Sequence, residues 1–139
     1  MNARQGTVRF RILLLVAALI LGCASFVDRI PPTDMTETSM TETIVRIEMY
    51  MKEHGEPPPN LAVLPTRKGY ANSTTDGWGR ELQYTVDKNG VISLTSLGAD
   101  GKPGGDGLNK DIVHRYRTRN PDGSSCINEE YWLINAEIK

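Results

Sequence analysis

The sequence is poor in cysteine, histidine and tryptophan, with two of each among 139 residues, and it has no surplus of basic charge. The net charge is −1, and residues 1–22 carry Arg4, Arg9 and Arg11 with no acid, so the rest of the chain stands at −4. A mildly acidic body gives no reason to expect a nucleic-acid partner, since such binding rests on extended basic surfaces. Internal repeats and low-complexity tracts are absent. Catalytic signatures are equally scarce. Cys126 and His114 are a nucleophile and a base by residue type, but nothing orients the base and no oxyanion motif accompanies them. No small-molecule substrate is identified, and a non-enzymatic protein is expected. What is present, 39% hydrophobic and 24% charged residues, is ordinary for a globular chain and enough for one compact domain.

The first segment is the most distinctive. A basic stretch, MNARQGTVRFR, precedes an apolar run from Ile12 to Leu21 and then Gly22-Cys23-Ala24-Ser25. The run has the length of a secretory hydrophobic region and is short for a helix crossing a ~30 Å hydrocarbon core. Ile20-Leu21-Gly22-Cys23 resembles a bacterial lipobox, in which the cysteine is lipidated and becomes the first mature residue. Three readings stay open: a lipoprotein modified at Cys23, an uncleaved signal anchor lengthened by Phe26 and Val27, and a plain cleaved signal. All three place the body outside the cytoplasm, and the first two hold it to a membrane. The expected division is a signal peptide over 1–22, a tether over 23–33 and a globular domain over 34–139. With Cys23 lipidated, no second cysteine is left to form a disulfide with Cys126, which reads as a small buried side chain.

Within the domain, Pro31-Pro32 delays the first helix, and Asp34 with Glu37 is spaced as a capping box. Met40, Ile44, Ile47 and Met51 follow at i, i+4, i+7 and i+11, one stripe of an α-helix, with Glu42, Arg46 and Glu53 on the opposite face. The helix is expected to end near His54, with Gly55 as a left-handed cap and Pro57-Pro58-Pro59 blocking continuation. Residues 60–75 read as irregular, anchored by Leu61, Val63 and Leu64. From Glu81 the period switches to two. ELQYTV and VISLTS alternate on either side of Asp87-Lys88-Asn89-Gly90, a hairpin pattern. YWLINAEI, Tyr131 to Ile138, is a last strand candidate. The expected fold is α+β, with one amphipathic helix packed on a small antiparallel sheet of about three strands.

Between the hairpin and the tail lies SLGADGKPGGDGLNKDI, Ser96 to Ile112, with five glycines and three aspartates. Asp100, Asp106 and Asp111 repel one another unless a cation gathers them, and the glycines let the backbone turn carbonyls inward. Oxygen donors of this kind suit Ca²⁺. The loop contains no His or Cys for zinc, lacks EF-hand spacing, and has Pro103 after Gly101-Lys102 where a phosphate loop has Ser or Thr. Composition alone leaves two readings, a calcium cage and a water-facing loop.

This loop resembles the calcium loop of the G-type major pseudopilin of bacterial type II secretion systems. Upstream, DGWGRELQY (Asp76–Tyr84) is similar to that family's D-P-W-G-x-x-x-x-Y, with Gly77 in place of proline. MYMKEHGEPPP (Met49–Pro59) resembles the end of its long helix. The segments match in order over residues 40–112. The resemblance implies a calcium ion held by the side chains of Asp100, Asp106 and Asp111 and the backbone carbonyls of Leu97 and Asn109. It also implies partners among pseudopilins or other secretion-system proteins. Residues 1–33 show a lipobox-like site in place of the family's leader and its long apolar helix, and residues 113–139 extend beyond the loop. The expected role is a structural or accessory component of a secretion apparatus. The alternative is a freestanding lipid-anchored binding module that reuses the same head. His114, Arg115, Arg117 and Arg119 form a basic cluster read as a solvated strand face, with a site for an anionic partner or lipid head groups as the alternative. Trp78 and Trp132 read as packing residues, and Asp76-Gly77 as turn chemistry.

Overall fold

The computed structural model describes residues 29–120, 122–126 and 134–135. The chain divides into two compact units, Met1–Ile30 and Pro31–Lys139, and all the described secondary structure belongs to the second. Cys23 and the expected signal segment lie outside the described residues, as does most of Tyr131–Ile138, Trp132 included.

Helix α1 runs from Pro32 to His54. It starts two residues before the expected Asp34 cap. Pro31 is extended (φ −56°, ψ 143°) and serves as the N-cap without a side-chain hydrogen bond. Pro32 suits the first helical position, because its ring presets φ and its missing N–H would have been unpaired there. Asp34 therefore sits inside the first turn, where its charge complements the helix dipole. The end is as expected: Gly55 adopts φ 78° and its N–H reaches the Met51 carbonyl at 2.7 Å.

The predicted stripe is buried. Met40, Ile44, Ile47 and Met51 form the core with Leu64, Leu82, Ile92, Leu94 and Cys126. The opposite face meets solvent at Glu53, as its charges suggested, but not at Glu42 or Arg46. Arg46 is only 5% exposed and donates to the carbonyls of Leu64, Pro65 and Asn72. Glu42 pairs with Arg67. Residues 60–75 wrap this flank, and Ser39 and Thr43 lean on the Ser73 carbonyl. Polar side chains line a second buried stripe because the segment covering them offers backbone carbonyls rather than apolar groups. Leu64 anchors that segment and Leu61 packs beside the core, whereas Val63 is exposed.

Strands β1 (Gln83–Val86), β2 (Val91–Ser96), β3 (Ile112–Arg117) and β4 (Ile134–Asn135) form an antiparallel meander in that order. The fold is α+β. The sheet holds three strands of ordinary length plus a two-residue fourth, inside the predicted Tyr131–Ile138 run. The third strand, β3, takes in His114, Arg115 and Arg117 of the basic cluster, which was read as a strand face but not counted among the expected strands; all three are half-buried rather than fully solvated. Register pairs Ile92 with Tyr116, Leu94 with His114 and Ser96 with Ile112, so these six residues share the helix-facing side. The Arg115 and Arg117 side chains belong to the other side. No helix among the described residues is long and apolar enough to cross a membrane.

Candidate functional site

The site grows from one tight turn. Asp76 and Arg80 close it through Asp76 N–H to Arg80 O at 2.7 Å and Gly79 N–H to Asp76 O at 3.0 Å. The Asp76 carboxylate then organises everything near it. Its Oδ1 accepts from the amides of Trp78 (3.0 Å) and Arg80 (2.9 Å). Its Oδ2 accepts from Ser96 Oγ at 2.7 Å and, more loosely, from the Arg80 guanidinium at 3.4 Å. Burial pushes this carboxyl up. The Arg80 amide, the Ser96 hydroxyl, the Trp78 amide and the Arg80 charge together outweigh burial and hold it below the usual carboxylate range.

Gly77 is required by close approach. A Cβ there would lie 1.9 Å from the Pro32 carbonyl oxygen, and the Gly77 amide donates to Thr36 Oγ1 at 2.8 Å. The turn is thus pressed against the first turn of α1. Proline, which the resemblance puts at this position, has both a ring and no N–H, and neither fits here.

Arg80 carries the turn into the acidic loop by donating to the carbonyls of Gly98 and Ala99. The loop closes on itself through Ala99 N–H to Leu108 O at 2.7 Å. A short 3-10 turn, Gly107–Asn109, follows Asp106. Asp100 and Asp106 are exposed, and Asp100 Oδ1 accepts the Lys102 amide at 3.1 Å. Asp111 is half-buried. Its Oδ2 accepts the Gly104 amide at 3.0 Å, while its Oδ1 is buried with no hydrogen-bond partner. The Asn109 carbonyl oxygen lies 2.6 Å from where a Cβ would stand on either Gly98 or Gly105, so glycine at both is what leaves it room.

These donors are all oxygens, the set a hard cation takes. The orphaned Asp111 Oδ1 is the atom that such a cation would satisfy, and the residues fit the group by that test. The carboxylates are not drawn together in this geometry. Among the described residues no three His, Cys, Asp or Glu side chains are grouped to hold a metal ion. Leu97 lies half-buried between β2 and the Arg80-bound carbonyls.

Residues 36–115 match the family model for the type II secretion system protein G. That span takes in most of α1, the Asp76 turn, the hairpin, the acidic loop and the start of β3. The chain belongs to this family. It is also 30% identical over 115 residues, 75% of this chain and 78% of the relative, to the type II secretion system core protein G of Xanthomonas campestris pv. campestris.

Within this protein G domain, sequence reasoning placed Asp76 in a turn, which the geometry bears out, but missed its second task of holding Ser96 and Arg80. The available signal was a single aspartate four residues before an arginine. His114 faces Glu37 (Nε2 to Oε2, 2.8 Å) and Tyr116 (Nδ1 to the hydroxyl oxygen, 3.2 Å), while Cys126 Sγ approaches Asn120 Oδ1 at 3.4 Å. The two residues weighed as a nucleophile and base thus have other partners. Trp78 is half-buried beside Arg80, whose guanidinium carbon lies 5.8 Å from its ring centroid.

Proposed function

We propose that this domain is a calcium-stabilised subunit with a structural or accessory role in a type II secretion apparatus, working outside the cytoplasm on the periplasmic side of the inner or outer membrane. Membership of the protein G family supports the apparatus. The buried, unpartnered Asp111 Oδ1 supports the cation. Asp100, Asp106 and Asp111 would hold the ion with their carboxylates, and Leu97 and Asn109 with backbone carbonyls. When bound, the ion supplies the charge that offsets three neighbouring carboxylates. The chain's own part is to present those groups. Arg80 fixes the loop's entry, the Ala99–Leu108 bond closes its neck, and Gly98 and Gly105 leave space at the Asn109 carbonyl. A loop this poor in apolar side chains gains its order from such bonds, so cation affinity becomes stability of the folded state. Attachment to the membrane, through a lipid on Cys23 or an uncleaved anchor, belongs to the same proposal, as does association with other secretion-system proteins.

Thermal melts of the full chain with calcium and with EDTA test the cation. Calcium at about 100 times its dissociation constant adds about 2.7 kcal/mol, a rise of about 10 °C or more in a domain of this size. Asp111→Ala and Asp100→Ala should each erase the difference. An unchanged melting temperature on chelation removes calcium from the proposal and leaves the family assignment intact. Radiolabelled lipid precursor tests the anchor: Cys23→Ser should abolish labelling. Co-purification with other secretion-system components tests the role, and their absence from the captured material argues against it.

A further inference from the structure

At the end of the β2–β3 ladder opposite the acidic loop, two turns meet. The first joins β1 to β2. Its Asp87 Oδ1 accepts the amides of Asn89 and Val91, both at 2.8 Å. Thr118 staples this turn to the end of β3, its hydroxyl and amide reaching the Gly90 carbonyl at 2.7 and 3.2 Å. The second is closed by Asn120 N–H to Ser124 O at 2.9 Å, with Asp122 Oδ1 accepting the Ser124 amide and hydroxyl at 2.9 and 2.6 Å. One oxygen of each local carboxylate is thereby committed to turn backbone or hydroxyl groups.

The cations between them are not so committed. A cleft of about 510 Å³ opens here, and among the described residues its lining includes Lys88, Arg117 and Arg119 and no acid. The ion pairs among the described residues are Lys52–Glu48, Arg67–Glu42, Arg80–Asp76 and His114–Glu37, so none of the three cleft cations has one. Arg117 Nε is buried and has no hydrogen-bond partner. A buried guanidinium N–H left unmade is costly, and its fork geometry matches a tetrahedral or planar oxyanion. Arg119 is steered toward the same cleft by a long bond from Nη1 to the Gly123 carbonyl, 3.4 Å. Arg117 stands opposite Val91 on the sheet side away from α1, so the cleft opens away from the core.

We propose that this cleft binds a phosphate-type oxyanion, with the Arg117 guanidinium, Lys88 and Arg119 supplying the charge. The same chemistry is offered by free phosphate and by the phosphodiester of a lipid headgroup. The test is an NMR titration of the full chain at constant ionic strength with inorganic phosphate, with glycerophosphoglycerol, and with chloride as the blank. Either phosphate probe should produce saturable shifts at Arg117 Nε–H and at the Lys88 and Gly123 amides. Arg117→Gln and Lys88→Gln should each weaken binding about tenfold or more. Arg115→Gln, on the same strand face but outside the cleft, should leave it unchanged. Saturation by inorganic phosphate points to a soluble ligand, and saturation by the diester to a headgroup. Shifts that never saturate, that chloride reproduces, or that Arg115→Gln weakens equally would overturn the site. Should Arg117→Gln disturb the whole amide spectrum, the exposed Lys88→Gln decides.

Discussion

Asp76→Ala should unfold this domain at a far lower temperature than its small change of volume suggests. The side chain is 2% exposed and accepts three close hydrogen bonds, from Trp78 N–H, Arg80 N–H and Ser96 Oγ, besides the looser guanidinium contact at 3.4 Å. Truncation leaves these donors without their acceptor. The guanidinium is more than a third exposed and recovers water, so most of the loss falls on the two amides and the buried hydroxyl. Bonds to a charged group are worth about 1.5–3 kcal/mol each and do not add fully, so a loss of about 3–5 kcal/mol is expected. At roughly 4 °C per kcal/mol or more, the melting temperature should fall by about 12–20 °C. Scanning calorimetry of the two full chains reads this directly. A drop under about 3 °C would show that the carboxylate is not the organising group. The pH dependence gives a second reading. Because the folded carboxyl titrates below its unfolded value of about 3.9, its contribution is complete above that pH and is lost as pH falls through the lower, folded value. Asp76→Asn should therefore flatten the acid limb of the stability curve while lowering its plateau.

Gly77→Ala places a Cβ 1.9 Å from backbone oxygen, with no flexible side chain to yield, and should cost about 2 kcal/mol or more by chemical denaturation, with Gly77→Pro worse. Arg46→Ala removes the donors that satisfy three carbonyls and should cost about 2–4 kcal/mol, with residues 64–72 exchanging amide protons faster than the sheet. Tyr84 is pushed up to about 12 by burial and by the neighbouring Tyr50, so its neutral form favours the fold. Its contribution should be complete below about pH 10 and lost as pH rises through about 12, and Tyr84→Phe should remove that alkaline transition from phenolate absorbance.

Much of the architecture was legible where one physical rule acted alone. Met40, Ile44, Ile47 and Met51 repeat with helical period and all face the core, Gly55 stops the helix, and Asp87–Gly90 turns the hairpin. Strand β3 was legible only as a strand face and was not counted in the sheet, because its two faces scarcely differ. Ile112, His114 and Tyr116 alternate with Val113, Arg115 and Arg117, and all six are half-buried. Arg46 read as a surface residue because polarity usually marks the wet face, and nothing local announces that residues 60–75 bring carbonyls to it. The acidic loop was found from glycine and aspartate content alone. Which of its oxygens turn inward is decided by backbone bonds such as Ala99–Leu108 and by Arg80, which sits sixteen residues before the loop begins. The arginines of the cleft were visible as a cluster, but their lack of acidic partners among the described residues depends on where Asp87 and Asp122 direct their oxygens.

The contact between Gly77 and Pro32 also constrains how such a chain can vary. The obstructing atoms are the Pro32 carbonyl oxygen and carbon and its Cα, so replacing the Pro32 side chain relieves nothing. A proline at 77 becomes acceptable only if the whole first turn of the helix moves and Thr36 surrenders its bond to the Gly77 amide. Residue 77 and the point where the helix begins are therefore one inherited choice, and a lineage that changes either must change both.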